Sequence, residues 1–280
     1  MPVDCHIHMI LDGVDWKQAI DRHRGVPDDG FIRRVLSAYR DQGYTYLRDG
    51  GDRWGAGSRA RELAGEYGIT YRTPLSPLCK MGHYGMFIGT GFENLRQYAD
   101  LVVKTQRAGG DFIKIMISGL MDFHSYRMLT QEGLPLEEIR EMIHIAHQEG
   151  MAVMAHANGA DTVLFAAEAG VDSVEHGGYL HPESLWAMKE AGTVWVPTVS
   201  TIGNLLGKGR FPNETVEKIL DSTLANIADF RAMGGLLAPG TDAGAWAVPH
   251  CSQTEEEWLA RAGVEETHLQ EGTAVIQRKF

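Results

Sequence analysis

Apolar residues recur along this chain at two periods, and the two alternate. Ile32, Val35, Leu36 and Tyr39 keep the spacing of one helix face, and Asp28 and Asp29 stand just ahead of them as caps. Leu95, Tyr98, Leu101 and Val102 repeat that spacing. Pro135 opens a third helix through Leu136, Ile139, Met142, Ile143 and Ala146, and Gly150 stops it. Pro182 opens another with Leu185 and Met188, and Val216, Ile219, Leu220, Leu224 and Ile227 mark a longer one. Between the helices, glycine leads into extended apolar runs at 43–49, 68–73, 110–117, 150–156, 170–176, 192–198 and 235–242. Glycine suits the left-handed residue that closes a helix, and a strand then begins. Residues 3–8 add a strand with no helix before it. Strict alternation predicts a parallel sheet. Eight such units in 280 residues predict an α/β protein, a (β/α)8 TIM barrel over residues 1–280 as a single domain. No GxGxxG follows the first strand, which weighs against an open dinucleotide-binding sheet. The longest connections at strand ends, 75–92 and 118–134, carry aromatic and His residues and are expected to roof the active face.

Charge narrows the partners. Lys plus Arg number 26 against 37 Asp plus Glu, a net charge of −11 with no basic block. Nucleic acid and anionic membranes are therefore not expected as partners. No apolar run reaches the ~18 residues of a membrane span. The first residues lack the basic and apolar regions of a secretory signal, so a cytoplasmic location is expected. Cys5, Cys79 and Cys251 are an odd number with no CxxC and read as reduced thiols.

The chemistry gathers where the predicted strands end. The first ends in His6 and His8, the fifth at His156, the sixth at His176 and the eighth at Asp242. These are C-terminal strand ends, the face on which barrels carry catalysis. Residues i and i+2 of a strand point the same way, so His6 and His8 face one point. One His at a strand end is commonly a hydrogen-bonded structural residue. Four with an Asp on one barrel mouth point instead to a transition-metal site. His23, His144, His147 and His268 lack that context and read as solvated or structural. Lys114 interrupts an otherwise apolar fourth strand, FIKIMI at 112–117. An unpaired ammonium there is costly. Two readings stay open: a lysine that snorkels or pairs with an acid such as Asp242, or a neutral amine that takes up carbon dioxide as a carbamate.

The motifs DCHIH (4–8), FIKIMISG (112–119), MAHANG (154–159), VEHG (174–177) and GTDAG (240–244), in that order, resemble the amidohydrolase superfamily. The nearest likeness is to its imidazolonepropionase-related and prolidase-like metal-dependent hydrolases, and YLRDGG (46–51) and GHYG (82–85) fit the same group. The resemblance implies two divalent metals, zinc first among them. His6, His8 and Asp242 would hold one, His156 and His176 the other, and a Lys114 carbamate made from CO2 would bridge them. A hydroxide between the metals would attack, Asp242 would accept and pass on its proton, and His176 would belong to the catalytic set. His83, with Tyr84 beside it, would touch substrate. The implied reaction is hydrolysis of an amide, a dipeptide or N-acyl amino acid, or a lactone. A mononuclear-metal deaminase and an inactive metal-binding barrel are the alternatives.

Two departures from the resemblance shape further expectations. The tail after Asp242 reads as helix at 255–261 and 265–280, so the family's satellite β-sandwich is expected to be absent. Leu120 follows Ser118 and Gly119 where the family has a second glycine, which alters the loop after the fourth strand. In that loop Arg127, with His124 and Tyr126, is a candidate carboxylate clasp, against the equal alternative of a surface arginine. The expected partner is a small-molecule substrate, with a carboxylate as one candidate feature; a homo-oligomer is allowed but not specified.

Overall fold

A computed structural model describes residues 2–280. Among the described residues nine short strands and eleven α-helices alternate, except that three strands in the first half follow one another directly. β1 (Val3–Ile7) precedes α1 (Trp16–His23) and α2 (Asp29–Asp41), followed by β2 (Tyr46–Asp49), α3 (Ala56–Ala64) and β3 (Thr70–Arg72). β4 (Leu78–Lys80), β5 (Thr90–Phe92), α4 (Leu95–Arg107) and β6 (Ile113–Met116) come next. α5 (Leu136–Gln148), β7 (Val153–Ala157), α6 (Ala160–Glu168), β8 (Ser173–His176), α7 (Pro182–Ala191) and β9 (Val194–Val196) complete the alternation. α8 (Ser200–Gly203), α9 (Asn213–Ala232), α10 (Thr254–Arg261) and α11 (Glu266–Lys279) end the chain.

The predicted helix signals act as expected. The Asp28 carboxylate accepts from the Phe31 N–H at 3.0 Å and caps α2, whose Ile32, Val35, Leu36 and Tyr39 are buried. Pro135 precedes α5, Glu137 and Glu138 occupy its first turn, and Gly150 takes φ 71° beyond its end.

Every strand pairing is parallel. The ladders form two sheets, β1-β2-β3 and β5-β4-β6-β7-β8-β9, and not one closed barrel. The expected eighth strand at 235–242 is among the differences. Its residues form only single parallel bridges, Trp195 with Leu237 and Ile7 with Ala243, so they lie between β9 and β1 without a continuous ladder. Pro239 offers no N–H, and the Thr241 N–H donates to the Asp4 carboxylate at 3.0 Å in place of a neighbouring strand. The expected loop 75–92 also differs: it contains β4 and β5, and Leu78 and Cys79 of β4 pair with Ile115 and Met116 of β6. Three-residue strands are too short to show a period.

β6, β7 and β8 are buried along their whole length, as strands covered on both faces must be. α11 packs Ile276 and Phe280 against Cys5, Tyr46, Phe112 and Val194, near the N-terminal ends of the strands. The opposite, C-terminal ends stay open for chemistry. No helix among the described residues is long and apolar enough to cross a membrane.

Candidate metal centre

His6 and His8 leave β1 on one face, and Asp242 arrives on the bridged segment beside them. The Asp242 N–H donates to the His6 carbonyl at 2.7 Å and the His8 N–H to the Ala243 carbonyl at 2.7 Å. Asp4 locks this pairing, accepting from the Thr241 hydroxyl at 2.6 Å and the His6 N–H at 3.2 Å. Three atoms result in a near-equilateral triangle. His6 Nε2 lies 3.4 Å from His8 Nε2, and Asp242 Oδ1 lies 3.5 Å from each. Ligands of a tetrahedral zinc at ordinary bond lengths stand about 3.3 Å apart, so the triangle has the size such an ion needs. Asp242 Oδ1 and Lys114 Nζ are buried without a hydrogen-bond partner among the described residues. Orphaned donors and acceptors of that kind fit an ion or bridging group in their midst.

His156 and His176 close the other side. Their ring centroids are 4.5 Å apart, and His176 lies 5.2 Å from His6. His156 Nε2 meets the Gly119 carbonyl at 3.1 Å, which leaves Nδ1 for a ligand. His176 Nδ1 meets the Thr198 hydroxyl at 2.7 Å, which leaves Nε2. His176, Thr198 and Asp242 all take positive φ, 70°, 49° and 55°. Left-handed backbone at non-glycine strand ends is strained, and strain of that kind concentrates at functional sites. Gly50 makes room for His8, because a Cβ there would stand 2.3 Å from its Cε1.

Behind His6 lies a fully buried charge network. The Glu175 carboxylate approaches His6 Nδ1 at 2.8 Å on a bent path. It accepts from Arg48 Nη2 at 2.8 Å and from the Ser173 hydroxyl at 2.7 Å. Arg48 Nε in turn donates to the Cys5 carbonyl at 2.6 Å. A carboxylate on the rear nitrogen fixes the tautomer and aims the front one.

Electrostatics prepare the donors. Burial, with the nearby Lys114 charge next, holds His8 and His156 down to about 3 and His6 well below its ordinary value. Burial also lowers His176, with His156 and His6 adding to the effect. These imidazoles are neutral, as ligands must be. Burial lowers Lys114 to about 8, against the pull of Glu175 and Asp242. Burial raises Asp242 to about 8, against the pull of Lys114.

A cavity of about 420 Å³ opens over the cluster and includes His6, His8, Lys114, His156, His176 and Asp242 in its wall. Of the five expected substrate contacts, Tyr84 alone lines it, with its ring 4.9 Å from His156. His83, His124, Tyr126 and Arg127 are not in the wall. Arg127 takes φ 64° in an exposed turn, which carries its guanidinium back over Tyr126 at 5.6 Å. His124 packs edge-on against Phe211 at 5.0 Å and so supports a wall residue from behind. Among the other histidines, His147 meets Asp172 at 2.8 Å and His268 accepts from the Glu265 N–H at 2.9 Å, both structural. His23 is buried, not solvated, and accepts from the Asp28 N–H at 3.1 Å. Sequence reading missed Glu175, Arg48, Thr198, Gly50 and the wall residue Arg210. Glu175 carried the same signal as Lys114, a charge in an apolar strand.

No family model matches the chain. Ochratoxinase of Aspergillus niger is 29% identical over 192 residues, 65% of this chain and 38% of that protein. An uncharacterized protein of Mycobacterium tuberculosis is 31% identical over 112 residues, 38% of this chain and 30% of its own length. The chain thus spans under two fifths of the curated relatives it matches. Among solved structures, a Xaa-Pro dipeptidase with methionine in its active site superposes with a TM-score of 0.77 at 21% identity, covering 99% of this chain and 75% of that one. A. niger ochratoxinase gives 0.74 at 20% identity over 99% and 69% of the two chains. An amidohydrolase gives 0.70 at 23% identity over 95% and 70%. These likenesses establish the fold, and the set is consistent with the amidohydrolase superfamily that the motifs resemble.

Proposed function

We propose that this protein is a metal-dependent hydrolase of carbon–nitrogen bonds in small amides, with dipeptides and N-acyl amino acids foremost and lactones a related class. The observation that carries the reading is the triangle of His6 Nε2, His8 Nε2 and Asp242 Oδ1, with edges of 3.4–3.5 Å, beside a buried and unpartnered Lys114. Residues 1–280 act as one barrel domain in this reading, with segment 236–243 standing in for the eighth strand. The names of the relatives, ochratoxinase and Xaa-Pro dipeptidase, support a hydrolase of this class.

Two divalent metals, zinc the leading candidate, would be held by His6, His8 and Asp242 on one side and His156 and His176 on the other, with a Lys114 carbamate between them. Bound there, they would supply Lewis acidity toward the scissile carbonyl and toward water. Asp242 accepts the proton that water gives up and delivers it to the departing nitrogen, so water adds across the C–N bond as OH on carbon and H on the amine. Glu175 faces His6 Nδ1 and Thr198 faces His176 Nδ1, which leaves each Nε2 toward the cluster. The apolar wall excludes bulk water and strengthens these charge interactions.

The test compares metal-stripped protein with protein restored by zinc, manganese or cobalt, on a panel of dipeptides, N-acyl amino acids and lactones. The reading predicts turnover only after restoration, with release of a primary amine from amide substrates. Ammonia release from amino-heterocycles with one metal per chain would favour the deaminase instead.

A further inference from the structure

Glu255 is a buried carboxylate that makes no ion pair among the described residues, and both its oxygens are taken up by backbone. It leaves the first turn of α10 and accepts from the Val199 N–H at 2.9 Å on one oxygen and from the Ser200 N–H at 2.7 Å on the other. A carboxylate taken out of water is costly unless hydrogen bonds replace the solvent. These bonds fall at one place, the turn that joins β9 to α8. Pro197 enters that turn without an N–H, and Thr198 takes φ 49°, a left-handed conformation that β-branched residues rarely adopt. From this residue the hydroxyl meets His176 Nδ1 at 2.7 Å. α10 grips the rest of α8 as well. The Ser200 and Thr254 hydroxyls lie 3.1 Å apart, Trp258 Nε1 donates to Asn204 Oδ1 at 3.3 Å, and a Cβ on Gly203 would stand 2.1 Å from Trp258 Cε2.

We infer that Glu255 is a positioning residue of the metal centre: it clamps the backbone at Val199 and Ser200, holds Thr198 in its left-handed conformation, and so sets the ring of His176. The inference rests on the hydrolase reading above and adds to it a residue from outside the strands. Glu255 is not in the cavity wall and acts through Thr198. The path between them is short. The Thr198 carbonyl and the Val199 N–H belong to one planar peptide unit. Glu255 holds that unit by its N–H, and the Thr201 N–H and hydroxyl hold it by its carbonyl, at 3.0 and 2.8 Å. Freed on the N–H side, Thr198 relaxes toward ordinary backbone and its hydroxyl swings off the imidazole. The His176 main chain is fixed separately, its carbonyl accepting from Trp195 Nε1 at 3.0 Å, so the clamp bears on the ring and not on the strand. The partner of one ring nitrogen decides what the other presents, so the clamp governs how His176 offers Nε2.

The experiment sets E255Q, T198V and the double variant beside the parent, with E256Q at the exposed neighbouring position as control. Glutamine keeps the size of Glu255 but turns an NH2 group toward one of the two N–H donors, so one bond is lost. Competition with a chelating dye reads zinc affinity, the visible spectrum of the cobalt form reads the ligand geometry, and urea unfolding checks the fold. E255Q is expected to bind the second equivalent of zinc about tenfold more weakly, and T198V likewise, with the cobalt spectrum changed in the same sense by both. The double variant should be no more than about twofold weaker than T198V, because both substitutions break one chain of contacts. E256Q matches the parent. Should E255Q not fold, E255D, which keeps the charge but withdraws it by one carbon, takes its place on the same criteria. Parent affinity and spectrum in E255Q, or losses that multiply in the double variant, overturn the inference and leave the hydrolase reading intact. If the protein takes up no zinc, the hydrolase reading fails on its own, and the NMR nitrogen shifts of the His176 ring in metal-free, isotope-labelled protein decide instead. E255Q must then move them as T198V does, and unmoved shifts overturn the inference.

Discussion

The Glu175 carboxylate stands 2.8 Å behind His6 Nδ1, on the side opposite the Nε2 that faces Asp242. One buried acid thereby ties a candidate ligand to the Arg48 guanidinium, itself anchored on the Cys5 carbonyl of β1. Glu175→Gln keeps the shape and removes the charge. It is expected to weaken metal binding by about 10–100-fold, read by competition with a chelating dye. Glu175→Ala leaves Arg48 buried and unpaired and is expected to cost about 3–5 kcal/mol in denaturant unfolding. Unchanged affinity in Glu175→Gln would show that the network only supports the fold.

Gly50 tests the packing around the second imidazole. A methyl group there would stand 2.3 Å from His8 Cε1, so the ring must move. Gly50→Ala is expected to lower metal affinity about tenfold or more with near-native circular dichroism. Native affinity in that variant would mean that His8 is not held as described.

Lys114 tests the bridge. Lys114→Ala is expected to lose the metal pair and most activity, and a short carboxylic acid added to the variant should partly restore both. Lys114→Arg should fail as well, because a guanidinium stays charged and cannot take up carbon dioxide. Bicarbonate should speed metal-dependent recovery of the parent protein. Normal turnover and two metals in Lys114→Arg would exclude a carbamate.

His250 sets a pH dependence of stability. Burial lowers it to about 4, and its Nε2 meets the Leu11 carbonyl at 3.0 Å. The unfolded chain takes up a proton near the ordinary histidine value while the folded one does not. This contribution to stability is therefore present above about 6.5 and is lost as pH falls toward about 4. With the ring only partly shielded, the loss is about 1–2 kcal/mol over that window. His250→Gln keeps a donor for Leu11 and should show a stability curve flatter by that amount in urea titrations from pH 7 to 4. Parallel curves for parent and variant would contradict the assignment.

His156, His176 and Asp242 were legible in the sequence because each ends an apolar run that a glycine begins, and a period of two assigns His6 and His8 to one face. Asp242 was legible as a ligand but not as part of a bridged segment, since Pro239 and the Asp4–Thr241 bonds remove the ladder that the apolar run at 235–242 implied. β4 and β5 escaped detection because three residues hold no periodicity. The wall was the least legible part. Arg127 stood in the expected loop, yet it is exposed and outside the wall, whereas Arg210 follows glycines at 207 and 209, where no pattern marks a wall residue. Loops that meet only in the folded chain leave no mark in local spacing.

A two-metal site bridged at Lys114 would show itself in anomalous scattering from crystals of zinc-restored protein. Two peaks about 3.5–4 Å apart are expected, one against His6, His8 and Asp242 and the other against His156 and His176, with density extending past Lys114 Nζ to both. A single peak on His6, His8 and Asp242, with an unextended Lys114 side chain paired to Asp242, would contradict it.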